Sequence, residues 1–208
     1  NSSHATELSL AMDGLSLPPA AGFAINDVDL ALSVRGDLDR PAVVLRAAHD
    51  GSVLADARGE IPLDWQKGVP TPDCGAPVSL DALLPPGPLA RFHERLPDIP
   101  AVDALGSASL AAHGALCDPD IKLVSTWSVP VGPQGERVHV ELDVDRSGGT
   151  VALRGALEES LARQMTVQGE ATSPAAETLR ALLAGETTVD PARPDSWLRE
   201  IDLRFTPH

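Results

Sequence analysis

Apolar and polar residues alternate with a period of two along most of this chain, and this alternation limits the possible folds more than any other feature. Such a pattern is typical of β-strands that bury one face and expose the other to solvent. The clearest runs are residues 28–35 and 138–145, where Val and Leu alternate with polar residues or Ala over a full strand length. The pattern predicts a mainly β protein whose antiparallel strands are joined by short turns.

A ten-residue pattern, Gly-x-Leu-x-x-Pro-x-(Val/Ile)-x-Leu, occurs twice, at residues 36–45 and 114–123. In each copy a Gly ends one alternating run, a polar link containing Pro turns the chain, and a second alternating run begins. A β unit repeated at long range indicates an array, in which function belongs to a shared surface and not to a catalytic pocket.

The pattern divides the chain into successive segments. We predict a first β unit over residues 1–65, a Pro-rich linker with a short helix over 66–100, a second β unit over 101–172, a second short helix and loop over 173–197, and the start of a third unit over 198–208. The linker prediction rests on the many Pro and Gly residues of 62–88, which favour a long loop. Because the chain starts without Met and ends within an alternating run, we expect it to be a fragment of a longer protein.

Composition excludes several classes of function. The net charge is −14 and neither half of the chain has a basic patch, so binding to nucleic acid is not expected. No run approaches the ~20 apolar residues that a membrane-spanning helix needs. With three Phe, three Trp and no Tyr, the buried face must consist mainly of Leu, Val, Ile and Ala.

The sequence offers no constellation for catalysis, so we expect no enzyme activity, no metal and no cofactor. The adjacent carboxylates Glu158 and Glu159 fall in a predicted turn, and Asp143 and Asp145 lie on the polar side of a strand without a desolvating environment. The six His residues are scattered and do not have the spacing of metal ligands. No nucleophile elbow or phosphate-binding loop is present.

The two cysteines, Cys74 and Cys117, are far apart in the sequence and lie in unlike settings. Their spacing matches no metal-binding motif. Whether they form a disulfide stays open at this point, and two unpaired thiols are the favoured interpretation.

In its order of alternating strand, motif, further strands and short Leu-rich helix, the chain resembles the repeats of the TamB and AsmA-like group of bacterial envelope proteins. The two motif copies at 36–45 and 114–123 carry the resemblance, and the strands over 138–155 fit it, whereas residues 66–85 depart from it. The resemblance implies a long antiparallel sheet curled into an open, taco-like groove with an apolar inside. It also implies a place in the periplasm, anchored elsewhere in the full-length chain, and transport of phospholipid or assembly of outer-membrane proteins with an outer-membrane barrel partner.

Strand alternation identifies the side chains that would line such a groove and contact a phospholipid or another acyl-chain ligand. They share a position on the apolar side of a predicted strand, and they are Val28, Leu30, Leu32, Val34, Val43, Leu45, Leu110, Ile121, Leu123, Trp127, Val138, Val140, Leu142, Val144, Val151, Leu153 and Val167. The alternative fold is a two-sheet β-sandwich in which the same side chains pack against a second sheet. The corresponding alternative function is a secreted adhesion or interaction module.

Overall fold

The computed structural model describes residues 6–17, 25–66, 69–93, 103–131, 136–159, 164–172 and 199–207. Eleven strands in this part of the chain form one antiparallel sheet, and a separate hairpin forms a two-stranded sheet. The strands of the large sheet, in their spatial order, are β1 (Thr6–Leu17), β2 (Ile25–Gly36), β3 (Ala42–His49), β4 (Ser52–Glu60), β7 (Pro77–Pro88), β8 (Leu105–Ala115), β9 (Asp118–Val131), β10 (Glu136–Ser147), β11 (Thr150–Glu159), β12 (Gln164–Thr172) and β13 (Arg199–Pro207). The hairpin consists of β5 (Leu63–Gln66) and β6 (Val69–Pro72).

The large sheet is a meander, because the described strands lie in the sheet in the same order as in the sequence, with only the β5–β6 hairpin left out between β4 and β7. It is not closed into a barrel, since β1 pairs with β2 alone and β13 with β12 alone. The predicted mainly β, antiparallel architecture is confirmed. Within the described ranges there is no second large sheet, so these residues do not build the two-sheet sandwich of the alternative prediction.

Two tight hairpins have the turn residues that their geometry requires. Asp50 and Gly51 have φ values of 47° and 74°, and Gly148 and Gly149 have values of 55° and 82°. Positive φ at both central residues belongs to the type I′ turn, whose twist matches that of the flanking strands. The short turns predicted between antiparallel strands are confirmed at these two positions.

The two copies of the repeated motif occupy equivalent places in the sheet. Gly36 at the end of β2 and Gly114 near the end of β8 have φ values of 104° and 100°, which a residue with a Cβ rarely adopts. The two connections differ in length. Ala115 pairs with Asp118, which leaves a two-residue turn, whereas residues 36–41 form a longer loop between β2 and β3. The motif therefore marks a strand ending, and the turn that follows it varies.

Residues 62–88 do not form the predicted linker. They contain the β5–β6 hairpin and then β7, which lies between β4 and β8 and makes the sheet continuous across this region. Proline is tolerated in β7 because of its position, since Pro77 is the first residue of the strand and Pro85, Pro86 and Pro88 follow Leu83, the last residue that pairs with β4. A proline at a strand end or on an unpaired edge removes no required hydrogen bond.

One short helix, α1 (Ala90–His93), lies in the described part of the chain, and it is shorter than the helix predicted after Pro88. Its Phe92 is buried together with Val28 of β2 and Leu54 of β4, and the partly buried Leu30, Ala47, Leu84 and Leu89 pack against these three. The predicted second helix, over 173–185, lies outside the described residues.

The neighbour of Phe92, Arg91, places its guanidinium carbon 4.8 Å from the Phe92 ring centroid, which is cation–π geometry. Its Nη2 donates a hydrogen bond to the Pro85 carbonyl oxygen. Partial burial lowers the pKa of the Arg91 guanidinium from its ordinary value. Arg91 thus fixes the short helix to the end of β7.

Cys74 and Cys117 form a disulfide, with a Cα–Cα distance of 4.7 Å. The expectation of two unpaired thiols is therefore wrong. Pairing of β7 with β8 places Pro77 opposite Ala115, which brings the segment before β7 beside the β8–β9 turn. This proximity depends on β7, the strand that the sequence analysis assigned to a linker.

Candidate functional site: the apolar face of the sheet

A row of directly opposed residues crosses the large sheet and takes one residue from each of its eleven strands. In antiparallel sheets, residues directly opposite each other have their side chains on the same face. Every member of this row is apolar or Gly, and we call it the central apolar row: Leu10, Leu32, Leu45, Ala57, Ala82, Leu110, Leu123, Val144, Leu153, Gly169 and Leu203. We call the side of the sheet that carries it the apolar face.

The neighbouring rows lie on the opposite side, which we call the polar face. One of these rows contains the charged residues Arg46, Asp56, Asp143, Arg154 and Arg204. Pairing from strand to strand places all five in the same row. Cross-strand ion pairs on this face include Glu7 with Arg35 and Arg46 with Asp56, at 2.9 and 3.8 Å. These pairs are exposed, so each contributes little to stability, and they identify this face as the hydrated one.

The two faces differ in exposure. In the described part of the chain, no other element covers the whole width of either face. In this part of the chain the extensive contacts between elements are those between neighbouring strands. On the inner strands most side chains of the apolar face are half-buried, whereas most charged side chains of the polar face are exposed. Towards the edges the apolar face becomes open, with Leu10 and Leu203 both 49% exposed and Phe205 61% exposed.

All seventeen residues that the sequence analysis selected as candidate lining lie on the apolar face, in register with one another. Sixteen of them are exposed or half-buried on this face, and one is not, because Val28 is buried under Phe92 of the short helix. The helix therefore covers one end of the apolar face over β2, β3, β4 and β7. Leu30, another of the seventeen, also packs against this cluster and is half-buried.

The apolar face also contains residues of β1, β7, β11, β12 and β13 that are absent from the predicted lining. On β7 the missed residues lie at alternating positions within a segment assigned to a linker, and the alternation of Val78, Leu80, Ala82 and Leu84 is the signal that identifies them. The others are Leu8, Leu10 and Met12, Leu157, Met165, and Leu203 and Phe205.

Two buried polar side chains interrupt the apolar face. Ser125 lies between Ala108 and Leu142 near its middle. Arg146 lies at the end of β10 that adjoins the disulfide, opposite Ile121 and Val151 in register, and is 5% exposed. Its guanidinium forms hydrogen bonds within the β8–β9 region, so the charged group is not presented on the apolar surface.

The guanidinium of Arg146 is held by two partners at the start of β9. Nη2 lies 2.5 Å from Asp118 Oδ1, and Nη1 donates to the carbonyl oxygen of Pro119. Asp118 and Pro119 belong to the second copy of the repeated motif. The motif therefore also supplies the partners that neutralise a buried charge at this end of the face.

Glycines on the apolar face lie opposite larger side chains of the next strand. Gly106 faces Trp127, and a Cβ at this position would overlap the Trp127 ring and approach the Thr126 carbonyl oxygen to 2.5 Å. In the same way, a Cβ on Gly169 would lie 2.5 Å from Leu203 Cδ2. These glycines let large apolar side chains lie flat across a neighbouring strand.

Outside the apolar face, the described residues contain no group of three or more His, Cys, Asp or Glu side chains that could hold a metal ion. They also contain no helix with the length and hydropathy needed to cross a membrane. No protein-family model matches the chain, and no curated protein or solved structure matches it.

Proposed function

We propose that this chain is a non-catalytic segment of a bacterial envelope protein, and that its sheet curls into an open groove whose apolar face holds the acyl chains of phospholipid. The observation that carries the proposal is the central apolar row, which runs without a polar interruption from Leu10 on β1 to Leu203 on β13. At the ~4.8 Å spacing of neighbouring strands, eleven strands give a lining about 50 Å wide.

The exposure pattern supports a curled sheet. Side chains of the apolar face are half-buried on the inner strands although the described elements do not cover them, as expected if they converge on the inside of a curve. Most charged side chains on the polar face are exposed, as expected on the outside of such a curve. An apolar surface of this extent is a liability in water unless a ligand or partner uses it.

The chemistry of the lining also fits acyl chains. Burying each methylene of a ligand contributes about 0.8 kcal/mol, provided that no polar group of the lining loses its hydrogen bonds. The central apolar row contains only aliphatic side chains and Gly, and the buried charge of Arg146 is already paired with Asp118. Chains of different length could slide along the central apolar row, because this row has no polar group that fixes a register.

The disulfide between Cys74 and Cys117 supports a place outside the reducing cytosol, since disulfides persist mainly in oxidising compartments such as the periplasm. Together with the acidic exterior, this fits an envelope protein that contacts lipid through its apolar face and not by electrostatic docking to an anionic membrane. The resemblance to the TamB and AsmA-like group implies that its partner would be an outer-membrane barrel protein.

Val44 and Leu45 of β3 offer a matched test of this function. They are adjacent and equally exposed, at 42% each, but Val44 lies on the polar face opposite Ser33 and Arg58, and Leu45 lies in the central apolar row. Leu45→Asp should weaken binding of a phospholipid with a fluorescent acyl chain about 10- to 100-fold, because loss of one apolar contact site corresponds to about 1.5–3 kcal/mol. Val44→Asp should leave binding unchanged.

Both variants should keep the circular dichroism spectrum of the unmodified protein, because each site is partly hydrated and Val44→Asp places a carboxylate opposite Arg58. Equal binding by the two variants would remove the proposal. So would failure of the unmodified protein to bind the fluorescent phospholipid under conditions in which it is folded.

A further inference from the structure

A cationic side chain lies on the apolar face, at the end of the face that the short helix covers. The guanidinium of Arg91 lies over Gly87, because a Cβ on this glycine would come within 2.8 Å of Arg91 Cζ. Gly87 pairs directly with Gly106, which is on the same side of β8 as Ala108 and Leu110. The guanidinium is therefore on the apolar face, two rows away from the central apolar row.

The described part of the protein satisfies Arg91 only in part. Nη2 donates to the Pro85 carbonyl oxygen, and the Phe92 ring centroid lies 4.8 Å from Cζ. Nε is buried without a hydrogen-bond partner, and no carboxylate of the described ranges forms an ion pair with Arg91. Although desolvation lowers the pKa of the guanidinium, an arginine stays charged at neutral pH. The apolar face thus carries a positive charge that lacks an anionic partner.

The other arginine of the apolar face differs in this respect. Arg146 is 5% exposed, and its guanidinium is already paired with Asp118. Arg91 is half-buried, so a ligand on the apolar face can reach it. On the polar face, Arg58 and Arg154 lie directly opposite Asp81 and Asp143 in register.

The indole of Trp127 lies beside the guanidinium of Arg91. It covers Gly106 as Arg91 covers Gly87, because a Cβ on Gly106 would lie 2.6 Å from Trp127 Cδ2. Directly opposed residues of neighbouring strands have Cβ positions about 5 Å apart, so the two side chains lie next to each other on one face. A positive charge beside a large amphipathic ring is the combination found where lipid headgroups meet hydrocarbon.

We propose that Arg91 binds the phosphate of a phospholipid and holds the headgroup at the end of the apolar face that α1 covers. This inference rests on the proposed function, because it assumes that the acyl chains lie on the same face. A phosphate has several oxygen acceptors for the planar, multidentate guanidinium, and Arg–phosphate hydrogen bonds are about twice as strong as neutral ones. The net charge of −14 disfavours anion binding over the rest of the surface.

An apolar path for the acyl chains begins at this site. From Gly106 the row of directly opposed residues continues through Trp127, Val140, Leu157 and Met165. The central apolar row lies two rows further along the strands. A headgroup fixed at Arg91 therefore leaves the chains free to extend over the face to different lengths.

Two fluorescent short-chain lipids with identical acyl chains, a phosphatidylglycerol and a diacylglycerol, separate the phosphate from the hydrocarbon when both are used as monomers. The unmodified protein should bind the phosphatidylglycerol about 10- to 100-fold more tightly, as expected for hydrogen bonds to a charged group. Arg91→Gln should reduce phosphatidylglycerol affinity to that of the diacylglycerol and leave diacylglycerol affinity unchanged. Arg91→Lys should retain part of the preference, because it keeps the charge.

Arg154→Gln is the matched control, since it removes an exposed arginine from the polar face, and it should keep the full preference. Inorganic phosphate at the concentration of the lipid should not displace the phosphatidylglycerol; displacement would identify a site for a soluble anion and overturn the proposal. An Arg91→Gln variant that binds both lipids equally less well would show that Arg91 only anchors the helix, which would also overturn it. Equal binding of the two lipids by the unmodified protein would contradict this inference alone, whereas binding of neither would remove the proposed function as well.

Discussion

Cys117 is linked to Cys74 twice, by the disulfide and by a hydrogen bond from its backbone N–H to the Cys74 carbonyl oxygen at 3.2 Å. The Cys117 side chain is fully buried. Next to this link, the backbone N–H of Leu116 donates to the Ala76 carbonyl oxygen at 3.0 Å. The β8–β9 turn, which lies within the second motif copy, is thereby linked to the segment that leads into the inner strand β7.

Removing the disulfide should destabilise the protein substantially. The two cysteines have a sequence separation of 43, for which the loss of loop-closure entropy in the unfolded chain corresponds to about 4 kcal/mol. Cys117→Ser should lower the free energy of unfolding by an amount of this order, as measured by denaturant titration. The Cys74→Ser, Cys117→Ser double variant should be no less stable than the single one and should not respond to dithiothreitol, whereas dithiothreitol should weaken the unmodified protein. Equal stability of the oxidised and reduced forms would contradict this account.

The ion pair of Arg146 and Asp118 should be asymmetric in its response to mutation. Asp118→Ala leaves a buried guanidinium with one fewer partner, and it should cost about 1–2 kcal/mol, at the low end for a charged hydrogen bond because Asp118 is partly exposed. Arg146→Leu replaces the charge with an aliphatic group between Ile121 and Val151, and it should be nearly neutral or stabilising. Thermal unfolding of both variants checks this prediction, which fails if Arg146→Leu is the more damaging change.

Because Trp127 lies close to Gly106, replacing this glycine should lower the stability of the protein. Gly106→Ala would force the indole ring and the neighbouring strand apart, at a cost of about 1–3 kcal/mol, and should change the Trp fluorescence spectrum. Gly155→Ala is the matched control on the same face, because its Cβ would approach nothing closer than the Glu141 carbonyl oxygen at 3.3 Å. A smaller loss of stability at Gly106 than at Gly155 would contradict the packing described here.

Much of the fold could be predicted from the sequence because the central apolar row crosses the whole width of the sheet. The alternation of Val138, Val140 and Leu142 with polar residues determines which side of β10 each residue occupies, and the same reasoning placed the candidate residues of β2, β3 and β9 on one face. The glycines of the turns, Gly51 and Gly149 among them, determined where strands end.

What could not be predicted depends on long-range pairing. Proline is a weak guide to strand position, because its effect depends on which neighbour needs the missing N–H, and in β7 the pairing with β4 stops at Leu83 before Pro85 is reached. Once β7 was assigned to a linker, its apolar residues were omitted and the proximity of Cys74 to Cys117 was hidden. The covering of Val28 by Phe92 likewise depends on where a helix of four residues docks, which periodicity does not specify.

The central claim is that acyl chains contact one face of the sheet and not the other, and consecutive residues of β9 test it most directly. Photo-activatable side chains introduced one at a time at Lys122, Leu123, Val124, Ser125, Thr126 and Trp127 sample the two faces alternately. We expect phospholipid to cross-link in cells at Leu123, Ser125 and Trp127 and not at Lys122, Val124 and Thr126. Cross-linking without a period of two, or confined to the polar face, would contradict the account.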